Sequence, residues 1–386
     1  MKILFISRAF PPVVGGIENQ NYELSKWLPK VDGMEVETIA NTRGRKFLPF
    51  FAPYALAKTL FLLPKYDAVL LGDGVLAVLG WLIKLFSNKP VISVVHGLDI
   101  NWNSKSLGVW YEKLLVAIYQ KLWVGVFLKK IDRFIAVGNE TVNVAVKHGI
   151  SEKKVVFIPN GVDTEKFIGD HSREKLAEIL KENLEGKHVI LTSGRLAKRK
   201  GVAWFIENVM PILPFNVLYV VAGDGPDKAN IQAAVTKKNL SDRVKLLGYV
   251  SDQTKDVLMN TCDLFIQPNI KIEGDLEGFG ISVIEATSCK LPVVASRLEG
   301  LKDAIKDQQN GFLVEPHDAS GYATKITELL SNETFRKEFG SKARQFAIDN
   351  YQWSKIAERY AAEIRKTSLQ TPPAGLFSEE SAGSQA

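Results

Sequence analysis

Cysteine is nearly missing from this chain of 386 residues, which holds only Cys262 and Cys289. Two thiols cannot build a disulfide framework, so a reducing compartment is the simpler expectation. They cannot assemble a metal cluster either. The five histidines, His96, His148, His171, His188 and His317, include no pair at the helical spacing that a zinc site uses. Long apolar runs are also lacking: Lys84 and Lys121 interrupt the two best candidates short of the roughly 18 residues that a spanning helix needs. The start, Met1 to Ser7, reads as a short apolar strand followed by Arg8 and a Pro-Pro turn, without the long apolar segment of a signal peptide. A cytoplasmic location is therefore expected.

What remains is an ordinary globular composition, with 46% apolar and 24% charged residues. The length exceeds one common core and fits two domains. A formal net charge of +6 permits nucleic acid, an anionic membrane surface or a phosphorylated substrate as partner, and by itself does not choose among them.

Along the first half, short β-rich runs alternate with amphipathic stretches: Lys2 to Ser7 then Ile17 to Leu28, Val36 to Ala40, Asp67 to Gly72 then Val75 to Phe86, Val91 to His96 then Leu107 to Lys129, Arg133 to Val137 then Glu140 to His148, and Val155 to Pro159. Apolar strands alternating with helical periodicity predict a parallel sheet covered on both faces. The pattern restarts after Asn160-Gly161-Val162-Asp163 and a helical stretch from Arg173 to Glu185, and runs through strands at His188 to Ser193, Val217 to Ala222, Val244 to Leu247, Leu264 to Gln267, Val293 to Ser296 and Phe312 to Val314. The expected α/β organisation is a first domain over 1–165, a second over 166–350, two helices separated by Tyr351-Gln352-Trp353, and a disordered tail over 367–386. Two such sheets would face a central cleft at the carboxyl ends of their strands.

Four stretches carry candidate chemistry. Glu277-Gly278-Phe279-Gly280-Ile281-Ser282-Val283-Ile284-Glu285 reads as a loop entering a helix, whose free N–H groups and positive dipole end suit a phosphate. Its two carboxylates, eight positions apart, fall on the loop and about one turn inside the helix, where both can accept hydrogen bonds from hydroxyls of one extended ligand. The turn Pro11-Pro12-Val13-Val14-Gly15-Gly16-Ile17-Glu18 offers a glycine pair at a helix start but lacks the third glycine and the acidic partner of the dinucleotide fingerprint, which disfavours NAD. Thr192 to Gly201 places Arg195, a planar fork for phosphate oxygens, and Lys200, a point charge, after a strand; Gly223-Asp224-Gly225-Pro226 ends another. His96 closes the fourth strand of the first domain before Gly97-Leu98-Asp99, within reach of a sugar hydroxyl or a phosphate.

Taken together with Pro159-Asn160-Gly161-Val162-Asp163, these motifs resemble, in order and spacing, the family-four retaining glycosyltransferases of the GT-B fold, from Met1 to about Lys366. The resemblance implies two Rossmann-like doubly wound domains, the first for the acceptor and completed by the C-terminal helix 353–366, the second for the nucleotide-sugar donor, and a closing motion that excludes water. It implies a nucleotide-sugar donor, no cofactor and no divalent metal. It assigns Gly16 to the donor phosphate, Arg195 and Lys200 to the diphosphate, Glu285 to the ribose and Glu277 to donor-sugar hydroxyls. The backbone at Phe279, Gly280 and Ile281 would contact sugar or phosphate, His96 would approach the hexose, and the backbone at Tyr249-Val250 would hold the nucleobase. A UDP-linked hexose is the first expectation for the donor and GDP-mannose the second.

The acceptor expected is a glycan or a lipid-linked molecule. Arg43 to Tyr66 and Trp102 to Lys130 mix basic with aromatic and aliphatic residues, which suits either a helix packed on the first core or peripheral contact with the inner face of an anionic membrane. Other readings of the two-domain shape are an isomerase resembling UDP-N-acetylglucosamine 2-epimerase and a catalytically silent nucleotide-sugar-binding protein. Nucleic acid is disfavoured, since the basic residues are scattered and form no recognised module.

Overall fold

The computed structural model describes residues 1–13, 15–97, 99–100, 114, 117–166 and 168–370. The apolar runs fold as parallel strands. In the first sheet these are β1 (Lys2–Ser7), β2 (Glu35–Ala40), β3 (Ala68–Leu71), β4 (Val91–Val95), β5 (Arg133–Ala136) and β6 (Val155–Phe157), in the order β2-β1-β3-β4-β5-β6. The second holds β7 (His188–Ser193), β8 (Val217–Ala222), β9 (Val244–Gly248), β10 (Leu264–Gln267), β11 (Val293–Ser296) and β12 (Phe312–Val314), ordered β12-β11-β10-β7-β8-β9. Ile3, Leu4, Phe5 and Ile6 of β1 and all of β8 are buried, as strands covered on both faces must be. In the second sheet one face packs against Phe205, Ile231, Tyr322 and Phe339 and the other against Leu176, Leu258, Val283 and Leu301, so helices cover both.

Contacts divide the chain into two units. One holds Met1–Ala136, Val142–Ile158 and the chain from Ala357; the other holds Val137–Thr141 and Pro159–Ile356. The chain thus crosses after 136, 141, 158 and 356, where crossings only at 165 and 353 were expected. The last helix, Trp353–Gln370, belongs to the first unit from Ala357 onward. There Tyr360 accepts a hydrogen bond from Gln20 Nε2 at 2.9 Å, and Glu363 pairs with Arg133 at 2.5 Å.

Several expected boundaries move for local reasons. The helix from Arg173 stops at Leu180, because Lys181 turns left-handed (φ 53°) and the Asn183 side chain accepts from Glu185 N at 3.0 Å. Only Gln352 separates the final helices Glu333–Tyr351 and Trp353–Gln370. Residues 367–370 are helical, with Thr367 buried and its hydroxyl on the Glu363 carbonyl at 2.8 Å, against the expectation of a tail from 367; 371–386 lie outside the described residues. So do 101–106, residues 107–113, 115 and 116 of the expected helix Leu107 to Lys129, Val14 of the glycine-pair turn, and Leu98 beside His96.

Candidate active site

In the second sheet the chain leaves β7 toward β8 on one side, and enters β10 on the other before moving outward to β11. Open α/β sheets bind ligands at this reversal, outside the carboxyl ends of the two strands. Here the loop after β7 and the loop after β10 touch backbone to backbone. Gly201 has φ 66°, and a Cβ on it would lie 1.9 Å from the Pro268 carbonyl oxygen. Beside it, Ile270 N donates to the Arg199 carbonyl at 2.8 Å.

That close approach sets Lys200 beside Glu277. Lys200 Nζ is 2.5 Å from Glu277 Oε2, Asn269 Nδ2 donates to the same oxygen at 3.1 Å, and Arg199 Nε stands 3.6 Å away while its Nη1 pairs with Asp275 at 3.2 Å. Asn269 is oriented in turn by Gln267 (2.5 Å), and Gln267 by Ser282 (3.2 Å). Glu277 N donates to Glu299 Oε2 at 2.7 Å. Burial pushes the Glu277 carboxyl up, but the charges of Lys200 and Arg199 outweigh it and hold the group at about 2. Glu277 is therefore a carboxylate throughout the physiological range. Oε2 takes all of the carboxylate's contacts; Oε1 has no partner among the described residues and is not sealed from solvent.

The helix Ile281–Ser288 starts beside this carboxylate. Gly280 enters it in the left-handed region (φ 89°), and no side chain caps its first turn. The Phe279 ring is buried edge-on against Tyr351 at 5.6 Å, so only its backbone is open to a ligand. Glu285, one turn in, is paired with Lys255 at 2.8 Å. Arg195 is exposed, and its side chain has no hydrogen-bond or ion-pair partner among the described residues. Val250 follows Gly248 (φ 68°) at the end of β9, next to Tyr249, which is 74% exposed.

In the first unit, His96 ends β4. Its backbone N donates to Asp99 Oδ1 at 3.0 Å, and its Nε2 lies 3.2 Å from the Gly72 carbonyl. A carbonyl only accepts, so Nε2 is the donor in this hydrogen bond. Gly16 is exposed and opens the helix Gly16–Trp27, which likewise has no side-chain cap.

The structure thus assembles Lys200, Glu277 and the Gly280–Ile281 helix start. Lys200, expected as a point charge toward the diphosphate, pairs with Glu277. Arg199, Asn269, Lys255 and Glu299 went unread. Asn269 was findable, because it follows β10 at a carboxyl strand end, and Arg199 sits within the basic run Lys198-Arg199-Lys200. Nothing in the sequence marked Lys255 or Glu299. Among the described residues no group of three or more His, Cys, Asp or Glu stands ready for a metal ion.

The sequence matches the family descriptions Glycosyltransferase Family 4 over residues 14–166 and Glycosyl transferases group 1 over residues 172–346. The chain belongs to the family-four glycosyltransferases. It is 25% identical to the GDP-mannose-dependent alpha-(1-6)-phosphatidylinositol monomannoside mannosyltransferase of Mycolicibacterium smegmatis, over 93% of this chain and 97% of that one. It is 27% identical to the UDP-Gal:alpha-D-GlcNAc-diphosphoundecaprenol alpha-1,3-galactosyltransferase of Escherichia coli, over 70% of this chain and 67% of the relative. Among solved structures, Anabaena Alr3699/HepE in complex with UDP superposes with a TM-score of 0.73 at 20% identity, covering 95% of this chain and all of that one. The glycosyltransferase has the GT-B fold of two Rossmann-like domains, and the two relatives named above are described by the nucleotide sugars GDP-mannose and UDP-Gal.

Proposed function

We propose that this glycosyltransferase moves a hexose from a nucleotide-diphosphate sugar to a hydroxyl of a glycan or lipid-linked acceptor, with retention and without a metal. The observation that carries the reading is the Glu277 carboxylate, ionised by Lys200 and Arg199, with Oε2 anchored and Oε1 open beside an uncapped helix start. One oxygen is free for sugar hydroxyls, and the helix start and Arg195 offer donors to the diphosphate. In the transfer, the bond from the anomeric carbon to the phosphate oxygen breaks and the nucleoside diphosphate leaves with the electron pair. The acceptor oxygen bonds to the same face of that carbon, and its proton passes to the departing phosphate oxygen. His96 and Glu277 position the hexose. Glu285, tied to Lys255, is assigned to the ribose, and the backbone at Gly16 to a donor phosphate. The backbone at Phe279, Gly280 and Ile281 meets the sugar or diphosphate, and that at Val250 the base.

A UDP-linked hexose is the donor we favour, and the full-length resemblance to a GDP-mannose-dependent relative keeps GDP-mannose as the second. A thermal-shift series with UDP, GDP, ADP and their sugar conjugates, without metal, is expected to show stabilisation by one nucleotide family, about 2.7 kcal/mol at a hundredfold excess over Kd. A flat response to every nucleotide would refute the donor site.

The acceptor side of the reading adds contact with an anionic bilayer. The helix Leu48–Leu62 contains no Asp or Glu and is apolar on both faces. Its buried side holds Phe51, Ala55 and Thr59, while Phe50, Tyr54 and Phe61 stand outward at 68, 56 and 77% exposure. A helix apolar all round needs a second apolar neighbour, and the flanking Arg43, Lys46 and Lys65 favour anionic headgroups. No described helix is long and apolar enough to cross a membrane. Sedimentation with phosphatidylglycerol vesicles is expected to be salt-sensitive and to fall at least tenfold in the double variant Phe50→Ser, Phe61→Ser. Equal partitioning of variant and wild type would remove this helix as the contact.

A further inference from the structure

The first sheet has its own reversal, between β1 and β3: the chain leaves β1 for β2 on one side and later enters β3 on the other. Just past the carboxyl ends of these two strands stand Arg8 and Asp73. Asp73 is fully buried; its Oδ1 accepts from Arg8 Nε at 2.9 Å and from Val75 N at 2.9 Å, and its Oδ2 is sealed with no partner. Asn41 Nδ2 fixes the Arg8 carbonyl at 3.1 Å. The neighbouring Asp99 is consumed by backbone, accepting from Gly74 N at 2.9 Å and from His96 N.

Only one edge of the Arg8 guanidinium is used. Its two terminal nitrogens have no hydrogen-bond partner among the described residues, although the side chain is only 17% exposed, and they are not sealed from solvent. A guanidinium so fixed, with two parallel N–H donors left open, matches two oxygens of one tetrahedral or planar oxyanion. Burial also pushes the Asp73 carboxyl up, with Arg8 pulling it back.

We propose that Arg8 binds a phosphoryl group of the acceptor, with Asp73 as the positioning residue that aims it. The site lies at the carboxyl edge that also holds His96, in the unit to which the acceptor is assigned, and this step rests on that assignment. The names of two relatives' acceptors, a phosphatidylinositol mannoside and a diphosphoundecaprenol sugar, both include phosphate.

The test is direct. With arginine side chains labelled at 15Nε and the donor site saturated by whichever nucleotide stabilises the protein, the Arg8 signal, identified by its loss in Arg8→Lys, is expected to move saturably with inorganic phosphate. Arg8→Gln is expected to weaken phosphate binding at least tenfold and to raise the acceptor KM by a similar factor, with donor KM unchanged. Asp73→Asn should weaken phosphate binding in the same direction while the nucleotide-induced thermal shift persists. An Arg8 signal that stays still while other arginines respond would overturn the proposal. So would an equal response to acetate, which would make the ligand a carboxylate. If no nucleotide stabilises the protein, the donor reading fails alone, because the phosphate titration of Arg8 can be read without it.

Discussion

Glu277→Gln is expected to lower kcat for sugar transfer by about 100-fold, the usual scale for removing one charge-positioning group from a preorganised site. Nucleotide diphosphate binding should stay within about threefold of wild type, since the substitution leaves the Gly280–Ile281 helix start and Arg195 in place. The split between the two readouts matters, because Glu277 also has a structural role. Gln keeps the volume and can still accept from Asn269, but it removes the charge that Lys200 and Arg199 share. Lys200 is buried, and stripping one partner from a buried pair costs about 3–5 kcal/mol at the upper end. The residual charge of Asp275 on Arg199 brings the expected loss below that. A variant that folds, binds nucleotide and still turns over at the wild-type rate would remove Glu277 from the mechanism.

The same carboxylate carries a pH signature. Its folded value of about 2 lies below the 4.5 of an ordinary glutamate, so the stabilisation it brings is fully present above pH 4.5 and is lost as pH falls toward 2. The difference in unfolding free energy between wild type and Glu277→Gln should therefore shrink across that window in urea titrations. A difference that stays constant from pH 5 to pH 2 would mean that the pair contributes no net electrostatic stability.

The fold was readable because fully buried parallel strands leave a simple trace. β8, Val217–Ala222, is an unbroken apolar run, and each of the twelve strands lies within two residues of the bounds expected for it, including β2, where Glu35 and Glu37 interrupt the apolar residues. The site was readable where a residue type is tied to a local motif, as with the glycines and carboxylates of Glu277 to Glu285. It was not readable where the partner comes from another part of the chain. Lys255 meets Glu285 across 30 positions, Glu299 meets Glu277 across 22, and Asp73 meets Arg8 across 65. Such pairs are fixed by strand order, and a single sequence carries no record of strand order. The ends of helices were missed for a smaller reason: a left-handed Lys181 stops a helix through a backbone choice that lysine rarely signals.

Strand order also explains why one glycine should matter more than its backbone angle suggests. Gly201 and Gly186 have nearly the same conformation, φ 66° and 67°, yet a Cβ on Gly186 would meet nothing within 4 Å, while one on Gly201 would meet the Pro268 carbonyl oxygen at 1.9 Å and its carbon at 2.9 Å. Gly186→Ala is therefore expected to cost about 1 kcal/mol, the strain of a left-handed alanine alone. Gly201→Ala adds a clash with backbone that cannot rotate away, for a total of roughly 3–4 kcal/mol. The clash has a functional consequence as well. It forces the loop after β7 away from the loop after β10, and with it Lys200 from Glu277, whose contact at 2.5 Å depends on that approach. Gly201→Ala is accordingly expected to lose about 100-fold in kcat even at temperatures where it remains folded, while Gly186→Ala keeps wild-type turnover. Urea denaturation and steady-state rates on the two variants decide the matter. Equal stability losses would show that the loops yield freely, and the pairing of Lys200 with Glu277 would then need another cause.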